Sequence, residues 1–375
     1  MKRAIFVAYL IFWLGVAYAI TIGYRSMRLH THARTNTIMS SGIFRADDRL
    51  GFAAHPGVTG TLFFASAPHI PMRFDQNGCR VPLDYDPDAE RSGGTLLTLG
   101  CSFTDGFACS AEDTYPFLLG DQLDAKTLNA GFGAYGLAQM LIQARELIPK
   151  FKPDYVSVQY SPWLIDRALH EYAPNDIGKR PQPFFWRDDE GRLQLHGPVF
   201  RTSAFRFPVA DYRKDAQGQN SFASFLWRLG FPFFLANDIQ VLGFRLRQAV
   251  GLVPRPDDNR MDVLRYAYGD MLDICRENGS QMVVCSLAHP WDPPRSGEQE
   301  ALQAMPGVIF VDGWATLTNT LADGDPETYQ RAYAHYRGDP PVLVDGHPNP
   351  AAHALIADAI ARQIAAAAHK EVRNK

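Results

Sequence analysis

The chain has 375 residues, 46% hydrophobic and 21% charged, which suffices for one large core or two ordinary ones and argues against global disorder. Its formal net charge of −3 provides no positive field to hold nucleic acid. The 5 cysteines form no CxxC pair, and neither a calcium loop nor a P-loop is present, so no metal or cofactor is expected.

Residues 1–24 read as a transmembrane anchor or signal. Lys2 and Arg3 precede Ala4–Ile22, an uncharged and nearly all apolar run. As a helix it spans roughly 29 Å, close to the hydrocarbon thickness of a bilayer. A signal peptide has a shorter apolar core, and the cleavage-like Ala17-Tyr18-Ala19 lies inside the run. An uncleaved anchor through residues 4–22 is the preferred reading; a cleaved signal and a buried helix are the alternatives. The rest of the chain is then expected outside the cytoplasm, in the periplasm. Lys2 and Arg3 favour that orientation, and Arg25 and Arg28 pull against it.

Residues 25–92 form a Gly/Pro-containing, β-rich lead-in. Short strands are expected in "GVTGTLFFASA", 57–67, and "MRFDQNGCRVPLD", 72–84, the second with a turn at Asn77-Gly78. Alternating elements follow. Strands are predicted at 95–100, 125–131 and 154–160, with helices at 113–123 and 136–149 between them. The rhythm resumes with a helix over 259–279, strands over 281–288 and 307–313, and a closing helix over 349–369. Asn349 and Pro350 are its expected cap and first-turn residue. Such a βαβ alternation predicts an α/β fold with a parallel sheet. Residues 185–258 interrupt the pattern and read as an insertion: a hairpin in 186–200, then an aromatic-rich stretch, 221–246, expected mainly as core.

Parallel sheets bind ligands at the carboxyl ends of their strands. Ser102, the segment "NAGFGAYG" at 129–136, and "VDGHPN" at 344–349 are polar clusters at such positions. A serine becomes a nucleophile at neutral pH when a base takes its proton, and the base needs an orienting carboxylate. His347 and Asp345 are the candidates, although their spacing alone does not say whether they touch. Cys101 and Cys109 could cross-link in an exported domain, whereas Cys285 reads as an inert strand residue. Asp105 reads as a helix cap, Asn129 and Gly131 as turn formers, and His353 as a brace. His289, Trp291 and Asp292 end a strand on the same face and are candidate pocket residues.

With these blocks in order, the chain resembles the SGNH (GDSL-type) hydrolase superfamily, specifically its membrane-associated branch. The Gly-Asp-Ser block reads "LTLGCSFTDG", the second block "LNAGFGAYGLAQ" and the last "DGHPNPAAHALIADAI"; "FDQNGCR" resembles the element ahead of the first strand. The resemblance covers roughly residues 75–165 and 255–370. It implies a three-layer α/β sandwich with a central, mostly parallel, flavodoxin-like sheet over residues 93–370, plus the N-terminal transmembrane helix. It implies Ser102 as nucleophile, His347 as base and Asp345 as the orienting acid. Oxyanion or pocket candidates are Gly133, Ala134 (where the family has glycine), and Trp163, aligned with the family's asparagine, with Gln159 or Ser161 as substitutes. Cys101 replaces the family's aspartate, and Asp-x-His replaces the commoner Asp-x-x-His, as in branches acting on polysaccharide acetyl groups. The implied function is a serine esterase removing O-acyl, chiefly acetyl, groups from a carbohydrate or another cell-envelope ester. Its substrate partner would be a small-molecule ester or an acylated glycan, and no protein partner is indicated. An O-acyltransferase on envelope glycans and a non-catalytic glycan-binding protein on a degenerate scaffold are the alternatives.

Overall fold

The computed structural model of the chain describes residues 2–35, 38–39, 41–64, 69–173, 179–199 and 222–373. Residues 65–67 of the first expected lead-in strand and 200–221 of the expected insertion lie outside them.

A nine-stranded sheet forms the centre. Its five parallel strands are, in chain order, Thr95–Leu99, Lys126–Asn129, Tyr155–Tyr160, Gln281–Ser286 and Ile309–Val311. Their spatial order is second, first, third, fourth, fifth, the flavodoxin-like order. The inner strands are covered on both faces: "TLLTL" shows no apolar–polar alternation, and in "YVSVQY" the polar Ser157 and Gln159 are as buried as Val156 and Val158. Strand order reverses between Thr95–Leu99 and Tyr155–Tyr160, so a crevice opens beyond their carboxyl ends.

Helices cover the sheet. Tyr115–Gln122 packs on the closing helix Pro350–Arg373, and Leu137–Phe151 packs on Arg260–Glu277. Right-handed crossovers running in opposite directions from the first strand place these pairs on opposite faces. Leu137–Phe151 buries Leu137, Met140, Leu141, Ala144, Leu147 and Ile148, the spacing of a helix with one face in the core. Arg260–Glu277 starts where the Asn259 side chain accepts the Asp262 N–H at 3.1 Å. Asn349 caps the last helix by accepting the Ala352 N–H at 3.0 Å, with Pro350 as its first residue.

The structure differs from the sequence expectation in four places. First, the sheet is mixed rather than mostly parallel. Strands Ile38–Met39, Thr59–Phe63, Ile70–Phe74 and Arg80–Val81 extend it antiparallel, joining at Arg80↔Asn129. They pair the edge that Lys126–Asn129 would otherwise expose. Second, Val342–Asp345 is not a strand of this sheet; it pairs with His335–Arg337 in a separate hairpin. Third, the aromatic-rich stretch is largely a surface helix, Phe231–Ala249: Phe234 and Phe244 are buried, but Leu235, Ile239, Leu242 and Leu246 face outward. Fourth, all five cysteines are free and buried, so Cys101 and Cys109 form no cross-link. The hairpin expected after residue 185 is present as Phe184–Arg187 paired with Leu193–His196.

The N-terminal helix runs from Lys2 to Thr35. Over Arg3–Thr31 it is long and apolar enough to cross a membrane, a property that membrane spans and signal sequences share. Ile5, Phe6, Leu10, Ile11 and Leu14 are exposed on it. Its far end is docked: Ile22 and Leu29 pack with Phe234, while Arg25 Nη1 and Tyr18 Oη donate to Asp238 at 2.7 and 3.0 Å.

Candidate active site

The first parallel strand ends at Leu99, and the chain turns through Gly100 and Cys101 into a one-turn helix, Ser102–Asp105. Gly100 is required there because a Cβ would meet Thr104 Oγ1 at 2.0 Å and Gln159 Oε1 at 2.6 Å. Gln159, on the third parallel strand, holds the turn from beneath. Its Oε1 accepts from the Cys101 N–H at 3.1 Å and from Thr104 Oγ1 at 2.8 Å. The second block grips the other side. Asn129 Nδ2 donates to the Thr104 carbonyl at 3.0 Å, and Asn129 Oδ1 accepts the Gly131 N–H at 3.1 Å. Asn129 and Gly131 are therefore turn formers, as expected. Two adjoining strands and a glycine turn thus hold Ser102 half-buried at the sheet's carboxyl edge.

Asp345 and His347 meet this serine. His347 lies 2.6 Å through Nδ1 from Asp345 Oδ1 and 2.9 Å through Nε2 from Ser102 Oγ. A carboxylate only accepts, so Nδ1 carries the proton and Nε2 is left to accept from the serine hydroxyl. The one-residue spacing works because Asp345 Oδ1 also accepts the His347 backbone N–H at 2.9 Å, an Asx-type turn that folds the ring back over its own carboxylate. The hairpin sets that turn from outside: His335 pairs with Asp345 in register, and its Nε2 donates to the Pro348 carbonyl at 3.1 Å. Phe107 and Phe103 wall the imidazole, with ring centres 4.7 and 5.7 Å away. A hydroxyl, an imidazole and a half-buried carboxylate in this order can activate the hydroxyl for attack on a carbonyl.

The structure separates the remaining candidates. Trp163 is brought to the site, its Nε1–H donating to Cys101 Sγ at 3.5 Å beside Ser102. Gln159 and Ser161 are fully buried and engaged elsewhere: Gln159 Nε2 donates to Ser161 Oγ at 2.8 Å, and Ser161 Oγ to the Leu287 carbonyl at 2.6 Å. Gly133 and Ala134 belong to the loop after Asn129, where Ala134 takes a left-handed φ of 68°, a conformation that suits glycine better than alanine. His353 is a brace, accepting the Tyr115 N–H at 3.2 Å and stacking on that ring; burial pushes it down to about 3. Asp105 caps no helix. It closes the Ser102 turn with both carboxylate oxygens buried and without hydrogen-bond partners among the described residues. Burial pushes its carboxyl up to about 6, with Arg80 and His347 pulling it back.

Arg80 joins the site without any catalytic signature in the sequence. Fully buried, it donates to the carbonyls of Asp105 and Gly106 at 2.6 and 2.7 Å and to that of Cys109. Its cation therefore sits at the carbonyl end of the serine turn. The only signal was a lone arginine just past the Asn77-Gly78 turn, in the "FDQNGCR" element.

Comparison with protein-family models and with curated proteins finds no match. Solved structures do match at low identity. The chain is similar to a protein of the G-D-S-L family from Desulfitobacterium hafniense DCB-2, with 10% identity, TM-score 0.32, and 72% of this chain and 98% of that one covered. An α/β hydrolase, LAE5, from the metagenome of Lake Arreo matches at 12% identity and TM-score 0.35, over 73% and 96%. The acetylxylan esterase Axe2 from Geobacillus stearothermophilus matches at 15% identity and TM-score 0.36, over 73% and 95%.

Proposed function

We propose that the chain is a serine esterase of the SGNH type, with residues 93–370 as its catalytic unit, Ser102 as nucleophile, His347 as base and Asp345 as orienting acid. The observation that carries this reading is the unbroken pair of contacts, 2.9 Å from Ser102 Oγ to His347 Nε2 and 2.6 Å from His347 Nδ1 to Asp345. Ser102 Oγ attacks the ester carbonyl carbon as its proton passes to His347 Nε2. The tetrahedral oxyanion collapses, the bond to the leaving alcohol breaks, and His347 returns the proton to that alcohol's oxygen. Water then attacks the acyl-serine, giving a proton to His347, which passes it to Ser102 Oγ as the carboxylic acid departs. The backbone N–H of Ser102 and an N–H from the Gly133–Ala134 loop are the proposed oxyanion donors, joined by the Trp163 indole N–H once it exchanges Cys101 Sγ for the oxyanion. The preferred substrate is an O-acetyl group on an envelope carbohydrate, reached from a membrane anchor at residues 4–22 with the catalytic unit in the periplasm.

Release of acetate from 4-nitrophenyl acetate tests the assignment. Ser102→Ala and His347→Ala are expected to lose about a thousandfold or more, and Asp345→Asn roughly 10²–10⁴-fold. A Ser102→Ala chain that retains wild-type turnover would contradict it.

A further inference from the structure

The aromatic side chains beside the site form a continuous cluster with Trp291 at its exposed end. Phe103 directly follows the nucleophile, and its ring lies 5.7 Å from that of His347. His289 packs on both Phe103 and Trp163, each at 4.9 Å between ring centres. Trp291 lies nearly parallel to His289, with 9° between planes and 5.0 Å between centres, and is 59% exposed. A tight turn holds this last pair: the Asp292 N–H donates to the His289 carbonyl at 3.1 Å, and the two residues form an antiparallel bridge. A pocket lined in part by Phe103, His289, Trp291, Gly346 and Pro348 adjoins the Asp345–His347 turn.

Such a surface suits one chemistry. A long acyl chain gains most from an enclosed apolar channel, whereas the outermost ring here, Trp291, is 59% exposed. A pyranose ring presents a flat face of C–H groups while its hydroxyls stay in water. That shape matches an exposed tryptophan backed by a second ring, the same quadrupole-driven stacking that aromatic pairs use. The His289 ring itself offers the ligand no charge: burial, with His347 and Arg167 adding to it and Asp345 opposing, pushes it down to about 4, so it is neutral at physiological pH.

We infer that the Trp291–His289 pair is a sugar-ring subsite, seating a pyranose so that its ester-bearing carbon reaches Ser102. The inference deepens the esterase reading and rests on it for the placement of the ester, but the stacking itself is testable without turnover. The experiment uses the full-length Ser102→Ala chain in detergent micelles, with 6-O-acetyl-glucopyranose and 1-O-acetyl-sorbitol as probes. The two carry the same acetate on a ring and on an open chain. Dissociation constants from ligand-observed NMR are expected to favour the ring by about five-fold or more. Adding Trp291→Ala should abolish that preference, whereas Trp291→Phe should keep most of it. Equal affinity for the two probes, or a ring preference that survives Trp291→Ala, would overturn the subsite. If the ring preference holds while the wild-type chain releases no acetate, the esterase reading falls and the subsite stands.

Discussion

Asp345 Oδ1 takes two hydrogen bonds from one residue, the His347 backbone N–H at 2.9 Å and Nδ1 at 2.6 Å. That double contact is why the short Asp-x-His spacing suffices: the acid shapes the turn and fixes the tautomer at once. Asp105 presents the opposite case, a buried carboxyl with no hydrogen-bond partner among the described residues. Its folded value of about 6 lies above the ordinary 3.8, so the folded chain holds the proton more tightly than the unfolded chain. The stability this gives is complete below about pH 4 and is lost as pH rises through about 6. Asp105→Asn mimics the protonated form. Urea unfolding should show it more stable than wild type by on the order of 2–3 kcal/mol at pH 8, with no gain below about pH 4. An equal gain at both pH values would mean that the ionised carboxylate is not the source of the cost.

The strand–turn–helix from Thr95 to Gly106 is the element on which the site depends. Gly100 lets the Gln159 and Thr104 side chains close on the backbone, and Gly106, at φ 75°, ends the turn so that Arg80 can reach the carbonyls. Gly100→Ala pushes a methyl group into Thr104 Oγ1. The expected cost is about 1–3 kcal/mol in thermal unfolding, with acetate release falling further than stability because Ser102 shifts off His347. Retention of wild-type turnover in a folded Gly100→Ala chain would show that the turn tolerates a side chain. This element was legible from its residues: an apolar run with no alternation, a glycine, then a small polar tail. The hairpin that carries Asp345 was less so. "VLVD" is a short run between proline and glycine, and nothing in it tells a strand of the main sheet from one paired only with His335–Arg337. Arg80 was missed for a related reason, since its partners are backbone carbonyls some 25–29 positions away that have no sequence signature.

Across the whole molecule, the parallel pairing and crossover helices were legible from periodicity, because buried parallel strands and one-faced helices leave strong local patterns, whereas the order of the strands leaves none. The aromatic stretch after residue 221 misled for the same reason. Phe and Leu content suggests core, yet Leu235, Ile239, Leu242 and Leu246 recur every three or four residues on the outward face of their helix. That helix is fastened to the N-terminal one through Arg25 and Asp238. If residues 4–22 stay in the bilayer, the full chain should remain in the membrane fraction through an alkaline carbonate wash. Recovery of a soluble chain whose mass places its start beyond residue 19 would show a cleaved signal instead. The proposed chemistry requires a single activated hydroxyl, that of Ser102, at the sheet's switch point. Its most direct test is peptide mapping after treatment with a fluorophosphonate: the account predicts one adduct, on Ser102, present in the wild-type chain and absent from His347→Ala. No adduct, or an adduct on any other residue, would contradict it.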